Sequence, residues 1–111
     1  MKNLTYNLSR IVELSDKDPE FIKLMVTTLI TEMSSDLEAL AVAVLERNRA
    51  NVNHYAHKMT PSLELLGLKG HLMALQLESW GKSEEKKDIQ KHFMYLHQEL
   101  EETLIQLKRD F

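Results

Sequence analysis

The sequence has no cysteine, three glycines and two prolines among its 111 residues. Without cysteine there is no disulfide framework, no thiolate metal site and no thiol nucleophile. With so little glycine and proline, and no glycine before Gly67, the chain lacks the punctuation that short strands and tight turns need. It also lacks an excess of charge: 14 Lys and Arg against 17 Asp and Glu leave a net −3. Neither nucleic acid nor an anionic membrane surface is therefore the expected partner. The longest apolar run, residues 39–45, falls far short of the roughly 18 residues of a membrane span, and Met1-Lys2-Asn3 opens no apolar signal core. The expectation is one cytoplasmic domain over 1–111, because a chain of this length can bury a single core with none to spare.

What the sequence does have is helical period. Apolar residues recur at threes and fours almost throughout, with no sustained alternation, and this predicts an all-α fold. A short helix is expected over residues 4–14, with Leu4, Leu8, Ile11 and Val12 on one side. Asp18-Pro19 then supplies a capping carboxylate and a first-turn proline for a second helix. That helix reaches about residue 47, buries Phe21, Met25, Thr28, Met33, Leu37, Leu40 and Val44, and can bend at Ser34-Ser35-Asp36. Val52, Ala56, Met59, Leu63 and Leu66 mark a third helix that stops at Gly67. A fourth, over 70–80, turns Leu72, Leu75, Leu77 and Trp80 inward and ends at Gly81. Ser83, with Glu84 and Glu85 behind it, reads as the cap of a fifth, whose stripe is Ile89, Phe93, Leu96, Leu100, Leu104 and Leu107. Four amphipathic helices with short connections predict an antiparallel four-helix bundle with a short additional N-terminal helix. Phe21, Leu40, Val52, Met59, Leu63, Leu75, Phe93 and Leu100 are its expected buried residues.

Several chemistries are excluded by missing motifs. Gly67 and Gly70 lack the Lys-Ser/Thr ending and the preceding strand of a phosphate loop, and neither a His-Glu-x-x-His helix nor an Asp-rich calcium loop is present. No Gly-x-Ser-x-Gly elbow occurs. Histidine remains: His54, His57, His71, His92 and His97. On a wheel of the third helix, His57, Pro61 and His54 fall about 140°, 180° and 200° from the centre of the apolar stripe, so they face away from the core. Leu65 and, if the turn is extended, Leu68 join this outer face, flanking His57 with apolar groups as a docking surface would. Pro61 removes the N–H that would bond the His57 carbonyl, which predicts a kink or a helix held straight by its neighbours. His71, His92 and His97 read as surface or boundary residues, and the six methionines as core filler.

Ala56-His57-Lys58-Met59 through Leu66-Gly67, preceded by Asp18-Pro19-Glu20-Phe21-Ile22 and followed by Leu75-Gln76-Leu77-Glu78, resembles the histidine-containing phosphotransfer domain of multistep two-component phosphorelays over nearly the whole chain. The resemblance implies that His57 is a phosphoacceptor. It implies response-regulator receiver domains and a hybrid sensor histidine kinase as partners, a monomer, and no cofactor of its own, with Mg²⁺ expected on the receiver. After the histidine the family usually has x-Leu-Lys-Gly-Ser; here stand Lys58, Met59, Thr60, Pro61 and Ser62. Thr60 replaces the lysine that neutralises the phosphoryl group, and Pro61 the glycine that lets the partner approach. Lys58 and the Thr60 hydroxyl are the expected phosphate neighbours, and Pro61, Leu65, Leu68 and His54 the expected docking residues. A phosphorylation-independent interaction module of the same fold is the alternative. A third reading makes His54 and His57, at i and i+3, ligands of a metal with Glu64 or another chain.

Overall fold

The structure is a computed structural model that describes residues 4–111. Its elements are α1 (Ser9–Leu14), α2 (Pro19–Leu45), α3 (Arg49–Leu65), α4 (Gly70–Lys82) and α5 (Gln90–Asp110). The fold is all-α, as expected. Helices α2 to α5 make the antiparallel bundle, each packed on the next, with α5 closing onto α2 and α1 resting against α2. Leu40, Val52, Met59, Leu63, Leu96 and Leu100 are fully enclosed; each such side chain contributes about 1.5 to 3 kcal/mol through burial. None of the helices among the described residues is long and apolar enough to cross a membrane.

The first helix is shorter than residues 4–14. Asn7 accepts the Ser9 N–H on Oδ1 at 2.8 Å, which starts α1 there, and its own amide donates to Leu66 O at 2.8 Å. Residues 4–8 thus form a strap across the bundle end. Thr5 N–H donates to Gln106 Oε1 at 2.9 Å, its hydroxyl meets that of Thr103, and Tyr6 OH donates to Asp110 Oδ2 at 2.5 Å. Burial, then the Asp110 bond, push the Tyr6 phenol up to about 12; bonds from Arg109 and Tyr6 hold Asp110 down at about 2. A depressed carboxylate contributes its stability above its unfolded value and loses it as pH falls. The Tyr6 ring resonances should therefore move toward random-coil positions from about pH 4 down to about pH 2, while the core methyl signals stay dispersed. A raised phenol works the opposite way, and its contribution is lost as pH rises from 10 through about 12.

Helix α2 runs unbroken through Ser34-Ser35-Asp36. Asp18 caps it through a bond from Glu20 N–H at 3.1 Å. Its buried stripe is Val26, Leu29, Met33, Leu37, Leu40 and Val44, whereas Phe21 is 46% exposed and Thr28 is exposed. The reason is length. α2 has 27 residues and α3 has 17, and since only residues 46–48 join them, the excess lies at the start of α2, where α3 gives no cover.

Helix α4 buries Gly70, Ala74, Leu77 and Trp80, and leaves Leu72 and Leu75 exposed, contrary to expectation. Near the end of α4 the two helices α3 and α4 approach closely. Gly81 shows how closely: a Cβ there would lie 2.6 Å from both Arg49 O and Asn53 Cβ. Gly81 is thus a packing residue inside a helix that continues to Lys82, and not its end. In an open helix, Gly→Ala stabilises by about 1 kcal/mol. Here Gly81→Ala should cost about 2 kcal/mol by overpacking against backbone; a urea midpoint at or above the parent's would show that the helices can part at no cost.

The fifth helix starts later than Ser83. Arg49 occupies the carbonyls of Trp80 and Ser83, both at 2.7 Å, and of Glu85 at 2.8 Å, so this stretch cannot enter a helix. Asp88, one residue before the Ile89 cap position, accepts the Gln90 N–H on Oδ1 at 2.9 Å at the start of α5. The expected stripe of α5 is buried except for Phe93, which is half-buried.

Candidate functional site

Helix α3 begins at Asn48, whose Oδ1 accepts the Asn51 N–H at 3.1 Å. Val52, Ala56, Met59 and Leu63 anchor its inner face, so His54 and His57, on the opposite side, are held rigidly outward. His54 and His57 are both exposed, as the wheel requires. Pro61 lies inside the helix, which continues through it to Leu65.

The His57 side chain is 75% exposed, yet one of its nitrogens is fixed: Nδ1 lies 2.9 Å from Glu78 Oε1 on α4, a carboxylate only 17% exposed. A carboxylate accepts and does not donate, so Nδ1 carries a proton, and in the neutral ring Nε2 presents a free lone pair. Lys82, one turn further along α4, places Nζ 4.0 Å from the same Glu78 oxygen. His57, Thr60, Pro61, Glu64, Leu75 and Glu78 together line a shallow groove between α3 and α4. The exposed Leu75 that broke the expected α4 stripe is its apolar wall.

The other expected site residues divide. Lys58 turns away, its Nζ bonded at 2.9 Å to the buried Asp36 of α2, and this bond with the attraction of the carboxylate raises its pKa. Its ammonium sits beside Asp36, and Lys58 does not line the His57 groove. Thr60 is buried and its hydroxyl donates to Ala56 O at 2.8 Å, which satisfies it within the helix. Leu65 is half-buried against the core, so it is at most a rim contact. Leu68 is 1% exposed and is no docking residue. Gly67, at φ 68°, donates to Glu64 O at 3.0 Å, and Leu68 N–H donates to Leu63 O at 3.0 Å, the Schellman pattern that folds the residue after the glycine back onto the helix. His54 packs edge-on against Tyr55, with ring centres 4.9 Å apart, and stays outside the groove.

Glu78, Lys82 and Leu75 are the site residues that periodicity missed. The Glu78/Lys82 spacing of i and i+4 was readable, but its meaning depends on which face α4 turns to α3. No group of three or more His, Asp or Glu that could hold a metal occurs among the described residues, so none of these joins His54 and His57 as a third ligand. The chain matches no protein-family model, no curated protein and no solved structure.

Proposed function

We propose that this chain is a histidine phosphotransfer domain in which His57 takes a phosphoryl group from the aspartyl phosphate of a receiver domain and returns it to another. The observation that carries this reading is the His57 ring: exposed, held in the middle of a rigid helix, with Nδ1 tied to Glu78 and Nε2 open. Nε2 can attack phosphorus, forming the N–P bond as the P–O bond to the receiver aspartate breaks and that aspartate leaves as a carboxylate. The ring then carries positive charge, which the Glu78 carboxylate 2.9 Å from Nδ1 offsets. No general base is needed, because Nε2 has no proton to lose. The receiver supplies its own carboxylates and Mg²⁺; a hybrid sensor kinase upstream, a cytoplasmic location and a monomeric state belong to the same reading.

Leu75 and Pro61 beside His57 suit a small, transient contact, on the order of 1,200 Å² or less. The test is incubation with a phosphorylated receiver, reading acid-labile, base-stable phosphate on this chain. One observation favours the alternative of a phosphorylation-independent interaction module: the position where the family carries its lysine holds a buried Thr60. That alternative requires receiver binding with no phosphate uptake in the same experiment.

A further inference from the structure

A phosphoryl group on Nε2 adds about two negative charges to the groove at neutral pH, and Glu78 and Glu64 already face it. Some cation must offset this charge if the adduct is to form and last. The two residues that the sequence offered for the role are engaged elsewhere, Lys58 with buried Asp36 and the Thr60 hydroxyl with Ala56 O. One candidate stands at the groove on α4. Lys82 Nζ and His57 Nδ1 lie 4.0 Å and 2.9 Å from the same oxygen of Glu78, and the Lys82 side chain is 71% exposed, free to swing on its four-carbon stem.

Resting on the phosphotransfer reading of His57, we propose that Lys82 is the phosphoryl-binding cation of this site and that Glu78 is its switch partner. Before transfer, Glu78 accepts the bond from Nδ1–H and holds Lys82 at the same oxygen. When Nε2 is phosphorylated, Lys82 exchanges the Glu78 oxygen at 4.0 Å for the phosphoryl oxygens, and Glu78 remains on Nδ1–H, facing the positive ring. The single weak ion pair in the resting state is what makes the exchange inexpensive, since an exposed pair of this length contributes almost nothing. The lysine that the family carries on the histidine helix is thus supplied by the neighbouring helix.

Phosphoramidate tests this without a receiver: its P–N bond breaks, ammonia leaves, and the N–P bond forms on the imidazole. Phosphohistidine is followed by ³¹P NMR on the intact chain. Lys82→Gln should slow labelling and shorten the phosphohistidine lifetime by about five-fold or more, and Lys82→Arg should restore both to within about two-fold of the parent. Lys58→Gln, compared per folded molecule, should label like the parent. Equal lifetimes in Lys82→Gln and the parent, or a fall confined to Lys58→Gln, would overturn the assignment. Melting curves of the Lys82 variants should overlay the parent's, because the side chain is exposed; a lifetime loss that Lys82→Arg does not rescue would also count against it. Since no receiver takes part, failure of receiver-to-His57 transfer would sink the relay reading alone, and the Lys82 comparison would still read out.

Discussion

His57→Gln should abolish phosphate uptake from a phosphorylated receiver while leaving unfolding within about 0.5 kcal/mol of the parent, as expected of a surface exchange. The two halves of this result have separate physical grounds. Uptake is lost because an amide nitrogen has no lone pair available to attack phosphorus, and no other ring nitrogen shares the groove. Stability is kept because the side chain is 75% exposed and glutamine retains an N–H donor for Glu78. His54→Gln should label normally, since His54 packs on Tyr55 outside the groove. Residual labelling of the His57 variant, or loss of labelling in the His54 variant alone, would remove His57 from the reaction. If both variants and the parent bind a receiver equally and none takes up phosphate, the interaction module is the correct description.

How far the sequence carried the fold depends on the face considered. The inward stripe of α5 was legible because Ile89, Leu96, Leu100, Leu104 and Leu107 recur at helical spacing and all are buried, although Thr103 and Gln106 are buried with them. The α2 start was legible because Asp18-Pro19 is a local signal whose cap bond needs no tertiary context. Helix α4 misled, since it carries leucines on two faces. Packing chose the face with Gly70, Ala74 and Gly81, because a Cβ at Gly81 would run into Arg49 and Asn53 of α3 and one at Gly70 into Leu96 and Glu99 of α5. The same choice turned Leu75 and Glu78 toward His57. A wheel of α3 alone could therefore point His57 outward, but it could not name the carboxylate that meets Nδ1; that requires the register between two helices. Leu68 failed for a local reason, the Schellman turn at Gly67, which a wheel extended past the helix end ignores.

Arg49→Ala should be among the most destabilising single exchanges outside the apolar core, at about 3 kcal/mol. Arg49 donates to three main-chain carbonyls, those of Trp80, Ser83 and Glu85, at 2.7 to 2.8 Å, and its guanidinium lies 4.0 Å from the centre of the Trp80 ring. Hydrogen bonds from a charged donor contribute about 1.5 to 3 kcal/mol each and a partly shielded cation–π contact about 1 kcal/mol. Water can reach the outer carbonyls once the side chain is gone, so the loss should be smaller than the sum. It would still be a large part of a stability expected in the range of about 5 to 15 kcal/mol. Arg49→Lys should recover no more than about a third of the loss, because an ammonium lacks the planar fork that spans three acceptors and stacks on indole. Trp80 is the only tryptophan, so its fluorescence reports both the urea midpoint and the local environment of the clamp. A midpoint loss under about 1 kcal/mol would mean that the 83–89 segment is held by its own packing. The clamp also reaches the site. Arg49 fixes the C-terminal turn of α4, where Glu78 and Lys82 stand, so the folded fraction of Arg49→Ala should label His57 more slowly than the parent, and Arg49→Lys should restore labelling only as far as it restores the midpoint.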